Sequence, residues 1–228
     1  MLSGASIIPS QYGRRFALRK SILGFGLLLA FHVATTTPTR AEPIRLMMLG
    51  DSITAAYGLA KEDGLPARLQ AALRAKGRDV TVIDAGVSGD TTAGGLARVD
   101  WALADNPQAV IVALGGNDGL RGLDPKVTAA NLNAILDKLA AKGLPVMLAG
   151  MLAPPNLGAD YGKEFSAVFT TIAQARPDIV FYPFLLDGVA GEESLNQPDR
   201  IHPNPAGVRV MVERMLPMVE TLLGKIGG

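Results

Sequence analysis

The sequence predicts an α/β fold in which a five-stranded parallel sheet is covered by helices on both faces. Five short apolar segments have the pattern of strands, helical segments separate them, and 48% of the 228 residues are hydrophobic. Strands that are apolar along their whole length and alternate with helices are typical of parallel sheets buried on both sides. The length suits one well-buried domain and is short for two.

The strand-like segments are apolar runs that end near a glycine or another turn residue, and the segments between them have apolar residues at helical spacing. The predicted strands are residues 44–49, 80–83, 109–114, 145–149 and 179–182. The predicted helices are residues 64–76, 92–105, 124–142 and 165–176, followed by a last helix that Asn204 caps and Pro205 begins. We expect Trp101 and six methionines at strand or helix spacing to pack inside the protein.

The first 41 residues have the pattern of a cleaved export signal. They contain five basic residues and no acidic ones, an apolar stretch at residues 21–34, and small residues at the last positions before a cut after Ala41. The apolar stretch is shorter than the about 20 residues of a membrane span. We therefore expect residues 1–41 to be a signal peptide, residues 42–228 to form a single domain, and the mature protein to be periplasmic or secreted. An uncleaved anchor is the alternative.

Charge and cysteine content exclude several classes of function. Residues 42–228 have 17 basic and 21 acidic side chains, a formal charge of −4, which argues against nucleic-acid binding. The chain has no cysteine, so cysteine nucleophiles, disulfides and metal sites with cysteine ligands are excluded. We expect no cofactor, no metal, no stable membrane span after processing, and a monomer.

Small and polar residues follow the first three predicted strands, at the sheet edge where parallel α/β folds bind ligands. Ser52 follows the first strand, and a histidine base could activate its hydroxyl. We expect its N–H to lie at a helix N-terminus, where an anion is stabilised; the alternative is that Ser52 only caps that helix. Gly89 can present a bare backbone N–H and Asn117 a side-chain amide, although both residue types are also common in turns.

His202 is the only histidine outside the predicted signal peptide, because the other histidine of the chain is His32. An imidazole ordinarily titrates near neutral pH, which makes His202 the candidate general base. Asp199 lies three residues earlier and can hold one ring nitrogen, which would fix the tautomer. The alternative is a surface Asp–His pair that helps to start the last helix. We interpret Asp51, beside Ser52, as structural.

These residues lie in four segments that resemble, in the same order, the four sequence blocks of the SGNH hydrolases, a division of the GDSL esterase/lipase superfamily. The segments are Gly50-Asp51-Ser52, Ser88-Gly89-Asp90-Thr91, Gly115-Gly116-Asn117-Asp118 and Asp199-x-x-His202-Pro203. The longer strings at 89–98 and 113–122 resemble the bacterial thioesterase I, arylesterase and lysophospholipase branch. The resemblance extends from about Ile44 to the last helix.

The resemblance implies a serine esterase with a three-layer α/β/α fold and a flavodoxin-like sheet. It makes Ser52 the nucleophile, His202 the general base and Asp199 the residue that orients the histidine. The oxyanion hole would consist of the backbone N–H groups of Ser52 and Gly89 and the side-chain amide of Asn117. The substrates would be small-molecule or lipid carboxylic esters, with thioesters and lysophospholipids as further candidates. Residues 153–161 resemble the loop that shapes the acyl pocket in this branch.

Two alternatives to the esterase stay open at this point. A carbohydrate O-deacetylase of the same superfamily would use the same residues, although a single tryptophan and few aromatic residues provide little surface for stacking sugars. A non-catalytic, flavodoxin-like module would instead hold a phosphate at the turn of Ser52. Neither a Walker nor a dinucleotide-binding glycine pattern follows the first strand, which argues against the module.

Overall fold

Five parallel strands form the single sheet found in the described part of the chain, residues 42–227 of a computed structural model. The strands are β1 (Ile44–Gly50), β2 (Val80–Gly86), β3 (Ala109–Ala113), β4 (Val146–Ala149) and β5 (Val180–Tyr182). Their order across the sheet is β2-β1-β3-β4-β5, and every neighbouring pair is parallel. This is the flavodoxin-like order, which confirms the predicted fold class. The predicted signal peptide lies outside the described residues.

Helices cover both faces of this sheet. Those of residues 42–227 are α1 (Leu65–Ala75), α2 (Thr92–Ala102), α3 (Gly116–Leu120), α4 (Pro125–Ala140), α5 (Ala159–Ala175) and α6 (Pro205–Leu223), besides short 3₁₀ turns. α1 packs against α6, while α4 packs against both α2 and α5. The two groups form the outer layers of a three-layer α/β/α sandwich. Each helix described in 42–227 is too short or too polar to cross a membrane.

The core lies on both sides of the central strands. Four successive residues of β1, from Leu46 to Leu49, are completely buried, as are all five residues of β3 to within 2%. Such runs have no polar face because each face of the strand contacts a helix layer. The predicted packing of the methionines is confirmed, since all six are at most 6% exposed: Met47, Met48, Met147, Met151, Met211 and Met215.

The boundaries of several helices differ from the predicted ones. α2 ends at Ala102 and continues as a 3₁₀ turn, which Asn106 closes in a left-handed conformation. α3 is not among the predicted helices, and its glycines have a low helix propensity. α5 begins six residues before the predicted start. α6 begins as predicted: Asn204 Oδ1 accepts from the N–H groups of Ala206 and Gly207, with Pro205 in the first turn.

The strand order places three loops side by side. β1 lies between β2 and β3, so the loops after these strands meet at one edge of the sheet. The point between β1 and β3 is the topological switch point of this fold, where doubly wound sheets bind their ligands. Ser52, Gly89 and Asn117 each follow one of these three strands. The fold therefore brings the predicted site residues of the first half of the chain to its usual ligand-binding edge.

Candidate active site

Ser52 lies in a turn directly after β1. Asp51 shapes this turn, because its Oδ1 accepts a hydrogen bond from the N–H of Ile53 at 3.1 Å. The following residues form consecutive turns, and the first α-helix begins only at Leu65. The expectation that Ser52 stands at a helix N-terminus, as nucleophile or as cap, is therefore wrong. The chain cannot continue as a helix here because Ala56 has a positive φ of 57°.

Asp199 and His202 lie in the loop before α6, in a tight turn that the aspartate holds together. Asp199 Oδ1 accepts from the N–H groups of Ile201 and His202, both at 3.0 Å, and Oδ2 lies 2.6 Å from His202 Nδ1. Arg200 adopts a left-handed φ of 61° to make this turn. Burial alone would raise the pKa of Asp199, but the hydrogen bonds from His202 and Ile201 lower that pKa to about 2.

The other ring nitrogen of His202 faces Ser52. His202 Nε2 is 2.8 Å from Ser52 Oγ, although 150 residues separate them in the sequence. Because the ionised Asp199 carboxylate accepts the proton on Nδ1, Nε2 of the neutral ring is the nitrogen free to accept from the serine hydroxyl. The structure thus brings all three residues of the predicted triad into hydrogen-bonding distance. A surface Asp–His pair unrelated to Ser52 does not fit this arrangement.

Gly89 and Asn117 line the same cavity as Ser52 and His202. Gly89 has a φ of 85°, so the turn needs a glycine there and leaves no side chain over the backbone. Asn117 Nδ2 donates to the carbonyl of Asp90 at 2.8 Å, which fixes the plane of the amide. The geometry therefore assembles every predicted oxyanion-hole residue on the wall of one cavity.

Arg98 on α2 joins the loops that carry these donors, and the sequence reasoning did not assign it a role. Its Nε donates to Asp90 Oδ2 at 2.6 Å and its Nη2 to the carbonyl of Gly50 at 2.8 Å. Both side chains of the ion pair are less than one-fifth exposed. Since the Asp90 carbonyl holds the amide of Asn117, one guanidinium links the end of β1 to the loop after β2. Without the strand order, the sequence does not show which strand end an arginine on α2 can reach.

Two further contacts fix the loops after β2 and β3. The buried carboxylate of Asp118 accepts from the N–H and the hydroxyl of Thr92 at 2.8 and 2.5 Å. Arg121 Nη2 donates to the carbonyl of Gly89 at 2.9 Å. Helix α3, which carries Asn117, is thereby tied to the segment from Gly89 to Thr92.

Asp51 is a buried carboxylate beside the candidate nucleophile. It is 2% exposed, and burial raises its pKa to about 6, against the lowering effects of the Ile53 N–H and of the charge on His202. Its Oδ2 lies 3.5 Å from Asn117 Nδ2. The hydrogen bond to Ile53 agrees with the structural interpretation of Asp51, while the raised pKa shows that its ionisation is unfavourable in the folded protein.

The cavity around these residues has a volume of about 800 Å³ and a mainly apolar lining. The apolar residues of this lining include Leu120, Met151, Leu152, Pro154, Phe184, Leu186 and Ile201. Of the predicted pocket loop, residues 153–161, the first three line the cavity. Its last residues already belong to α5, which begins at Ala159. Within residues 42–227, no cluster of three or more histidine and acidic side chains could hold a metal ion.

Residues 48–210 match the model of the GDSL-like Lipase/Acylhydrolase family. The chain belongs to this family. The match includes all five residues of the site described above and covers more than half of the sequence. All four of the sequence blocks that resemble the SGNH hydrolases lie within the matched residues.

Relatives in this family are named as esterases. Over 179 residues the chain is 42% identical to Esterase TesA of Pseudomonas aeruginosa, which covers 78% of this chain and 89% of that protein. It is 37% identical over 162 residues to an Arylesterase of Vibrio mimicus, and the match covers 71% of this chain and 80% of that protein. It is 35% identical over 181 residues to Thioesterase 1/protease 1/lysophospholipase L1 of Escherichia coli, and the match covers 79% of this chain and 82% of that protein.

Solved structures in the family have the same fold. The crystal structure of TesA matches with a TM-score of 0.74 at 42% identity, over 78% of this chain and 99% of that chain. A structure of the esterase EstA from Pseudoalteromonas sp., inhibited by monoethylphosphonate, matches with a TM-score of 0.74 at 34% identity. This match covers 79% of this chain and 99% of that chain. The family's architecture therefore extends over nearly all of the described residues.

Proposed function

We propose that this protein is a serine esterase that hydrolyses carboxylic esters through an acyl-enzyme on Ser52. The observation that carries the proposal is the chain of contacts from Asp199 to His202 to Ser52, at 2.6 and 2.8 Å, opening into an apolar cavity. A hydroxyl is a weak nucleophile by itself, and a histidine oriented by a carboxylate is the arrangement that activates it.

The first half of the proposed reaction forms the acyl-enzyme. Ser52 Oγ attacks the carbonyl carbon of the ester while its proton moves to His202 Nε2, and the carbonyl oxygen takes the electron pair. Asp199 holds the imidazolium through Nδ1–H. The tetrahedral intermediate then collapses, the bond to the leaving oxygen breaks, and His202 returns the proton to the departing alcohol.

The second half releases the acid. Water attacks the acyl carbon as His202 Nε2 takes one of its protons, and a second tetrahedral intermediate forms. Its collapse breaks the bond to Ser52 Oγ, which recovers the proton from His202. The free carboxylic acid leaves and the starting state is restored.

The negative oxygen in both intermediates requires donors that are already in place. The proposed donors are the backbone N–H groups of Ser52 and Gly89 and the side-chain amide of Asn117. Such preorganised donors stabilise developing charge without reorganisation at the moment of reaction. The hydrogen bonds of Arg98 to Asp90 and Gly50, at 2.6 and 2.8 Å, support a rigid hole.

A fluorophosphonate probe tests the nucleophile directly. We expect one covalent adduct on Ser52 in the wild type and none in Ser52→Ala, with hydrolysis of p-nitrophenyl butyrate lost in parallel by about 10⁶-fold. The variant with both Ser52→Ala and His202→Ala should lose little more, because the two residues act as a unit. An active protein that is labelled elsewhere, or a Ser52→Ala variant that keeps its activity, would refute the proposal.

The carbohydrate O-deacetylase is the competing function. The apolar lining, with residues such as Leu120, Leu152 and Phe184, favours an acyl chain over a sugar. Relative rates on p-nitrophenyl acetate, longer p-nitrophenyl esters and acetylated xylan separate the two functions. We expect turnover of acyl esters and none of the polysaccharide; preference for acetylated xylan would establish the deacetylase instead.

We also propose that the enzyme acts outside the cytoplasm, after removal of residues 1–41. The support is the sequence pattern alone: basic residues, a short apolar stretch and small residues before Glu42. N-terminal sequencing of the protein from a periplasmic fraction should begin at Glu42. An intact N-terminus in the membrane fraction would show the uncleaved anchor.

A further inference from the structure

We propose that Tyr57 is a positioning residue for His202. Its ring packs on the imidazole, keeps it directed at Ser52 and stabilises its protonated form, while Gln197 holds Tyr57 in place. The two ring centroids are 4.7 Å apart and the ring planes are inclined by 39°. The inference rests on the proposed function, because it concerns the residue to which that function assigns the role of base.

The turn after Ser52 brings Tyr57 back over the site. The N–H of Tyr57 donates to the carbonyl of Ser52 at 3.0 Å. Ala56 and Gly58, on either side of Tyr57, have positive φ angles of 57° and 73°. These left-handed residues reverse the chain, so that a side chain five positions after the nucleophile meets the ring of the base. The cavity wall includes both rings.

Gln197 joins the turn of Tyr57 to the loop of His202. Its N–H donates to the carbonyl of His202 at 2.7 Å. Its Nε2 donates to the carbonyls of Tyr57 and Pro203 at 2.8 and 3.0 Å. The positive φ of Gly58 favours glycine, and a Cβ there would press against Gln197 Oε1. One amide side chain therefore sets the distance between the two loops.

The position of the Tyr57 ring is not explained by core packing. The residue is 53% exposed, so it buries little apolar area, yet its ring lies against the one imidazole of the site. A cation within about 6 Å of an aromatic centroid is attracted to the face of the ring. His202 becomes such a cation each time it takes the proton of Ser52.

Other charged groups also act on His202. The Asp199 carboxylate contacts Nδ1, the buried carboxylate of Asp51 interacts with the ring charge, and Arg200 lies on the wall of the same cavity. Asp51 and Asp199 favour the imidazolium when ionised, and Arg200 opposes it. All three stay unchanged in variants of Tyr57, so a difference between such variants isolates the effect of the tyrosine ring.

The decisive variants are Tyr57→Leu and Tyr57→Phe in the full chain. Leucine retains apolar bulk over the imidazole but has no aromatic face, whereas phenylalanine retains the face and loses only the hydroxyl. The first measurement is the NMR titration of the His202 imidazole, assigned by its absence in His202→Gln. The second is the pH profile of kcat/KM on p-nitrophenyl acetate, with thermal melts to establish that each variant is folded.

We expect the titration midpoint of His202 in Tyr57→Leu to move to lower pH by about half a unit, equivalent to about three-fold in the protonation equilibrium. The acidic limb of the kcat/KM profile should move in the same direction, and kcat should fall about two- to five-fold. The titration midpoint in Tyr57→Phe should stay at its wild-type value. A residue that merely forms the wall of the cavity would alter KM and leave both midpoints in place.

The role of Gln197 is tested by combination. Gln197→Ala should shift the His202 midpoint in the same direction as Tyr57→Leu, and the double variant should shift it no further than Tyr57→Leu alone. Additive shifts would overturn the link between the two residues. An unchanged midpoint in Tyr57→Leu, or an equal shift in Tyr57→Phe, would overturn the role of the ring. If the variants show these shifts but the wild type hydrolyses no ester, the proposed function is refuted and the role of the Tyr57 ring toward His202 still stands.

Discussion

The proposed role of Asn117 as an oxyanion donor depends on an amide that is fixed before substrate arrives. One of its N–H groups donates to the carbonyl of Asp90 at 2.8 Å, which sets the plane in which the amide lies. An amide free to rotate would have to be ordered in each turnover, and that ordering opposes catalysis.

Replacement of Asn117 by alanine tests this role. We expect kcat on p-nitrophenyl butyrate to fall about 10²–10³-fold, the typical effect of losing one oxyanion donor. Labelling of Ser52 by a fluorophosphonate should persist at a reduced rate, because the nucleophile and its base remain. An Asn117→Ala protein with the kcat of the wild type would remove the residue from the proposed hole.

The sequence predicts the site residues that follow strands or share a turn, and it misses those that act across the fold. Ser52 and Asn117 each stand after a strand, and Asp199 is one turn from His202. Arg98 and Gln197 act on backbone carbonyls 48 and 140 residues away. Their partners depend on which loops are neighbours, so no local spacing reveals them.

Among the elements, α2 links the site to the sheet through Arg98. Lysine at this position keeps the charge but cannot form the two-pronged contact with Asp90 and Gly50. We expect Arg98→Lys to lower kcat about ten-fold with little change in KM, since the donors move while the cavity wall stays. Combining it with Asn117→Ala should add little, because both act on the same donor.

Steady-state kinetics and thermal melts of the three proteins measure this prediction. If Arg98→Lys and Asn117→Ala multiply their effects on kcat, Arg98 does not act through Asn117. If Arg98→Lys only lowers the melting temperature, the guanidinium serves the fold and not the site.

The outer face of α2 contradicts one sequence-based expectation. Trp101 was expected to pack inside, but it is 78% exposed, while Val99 and Ala102 beside it are buried. Helical spacing defines the edge of the buried face only to within about one residue. The hydrophobicity of a tryptophan at that edge does not decide whether it is buried or exposed.

This exposure has a spectroscopic consequence, because Trp101 is the single tryptophan of the chain. We expect its fluorescence maximum in the native protein to be close to that of tryptophan in water and to move little on unfolding in urea. Acrylamide should quench it nearly as well in the native as in the unfolded protein. A blue-shifted native emission would mean that a partner or a second copy covers this face.

For the whole molecule, the alternation of strands and helices predicts a parallel sheet but not the order of its strands. The order β2-β1-β3-β4-β5 decides which loops meet, and only the family resemblance supplied it beforehand. Helix periodicity also does not predict α3. A Cβ at Gly116 or Gly119 would press against Met151 or Phe165, and we infer that these tertiary contacts override the low helix propensity of glycine.

The buried carboxylate of Asp51 gives the whole protein a specific pH dependence. Its pKa is about 6 in the folded state, against an ordinary value of 3.8 for an aspartate in water. Between these values the native state keeps a proton that the unfolded state has released, so the free energy of unfolding falls as pH rises from about 4 to 6. The loss is about 3 kcal/mol for a shift of this size.

We expect Asp51→Asn to flatten this part of the pH profile, because an amide retains the acceptor for the N–H of Ile53 and does not ionise. The free energy of unfolding in urea at pH 4, 5, 6 and 7 measures this slope. Asp84→Asn is the control for a lost carboxylate, because Asp84 Oδ1 also accepts from a backbone N–H two residues later, that of Gly86 at 2.9 Å. Equal slopes in wild type and Asp51→Asn would show that Asp51 is not ionised differently in the two states.

In the proposed mechanism, the 150-residue separation between Ser52 and His202 determines when hydrolysis can begin. Ribosomes make the serine early and the histidine only near the end, so a growing chain has a hydroxyl without its proton acceptor. A polypeptide kept extended on a chaperone is in the same condition. Under the proposed mechanism, hydrolysis can therefore start only when the loop before α6 has docked against the turn after β1, where His202 Nε2 meets Ser52 Oγ.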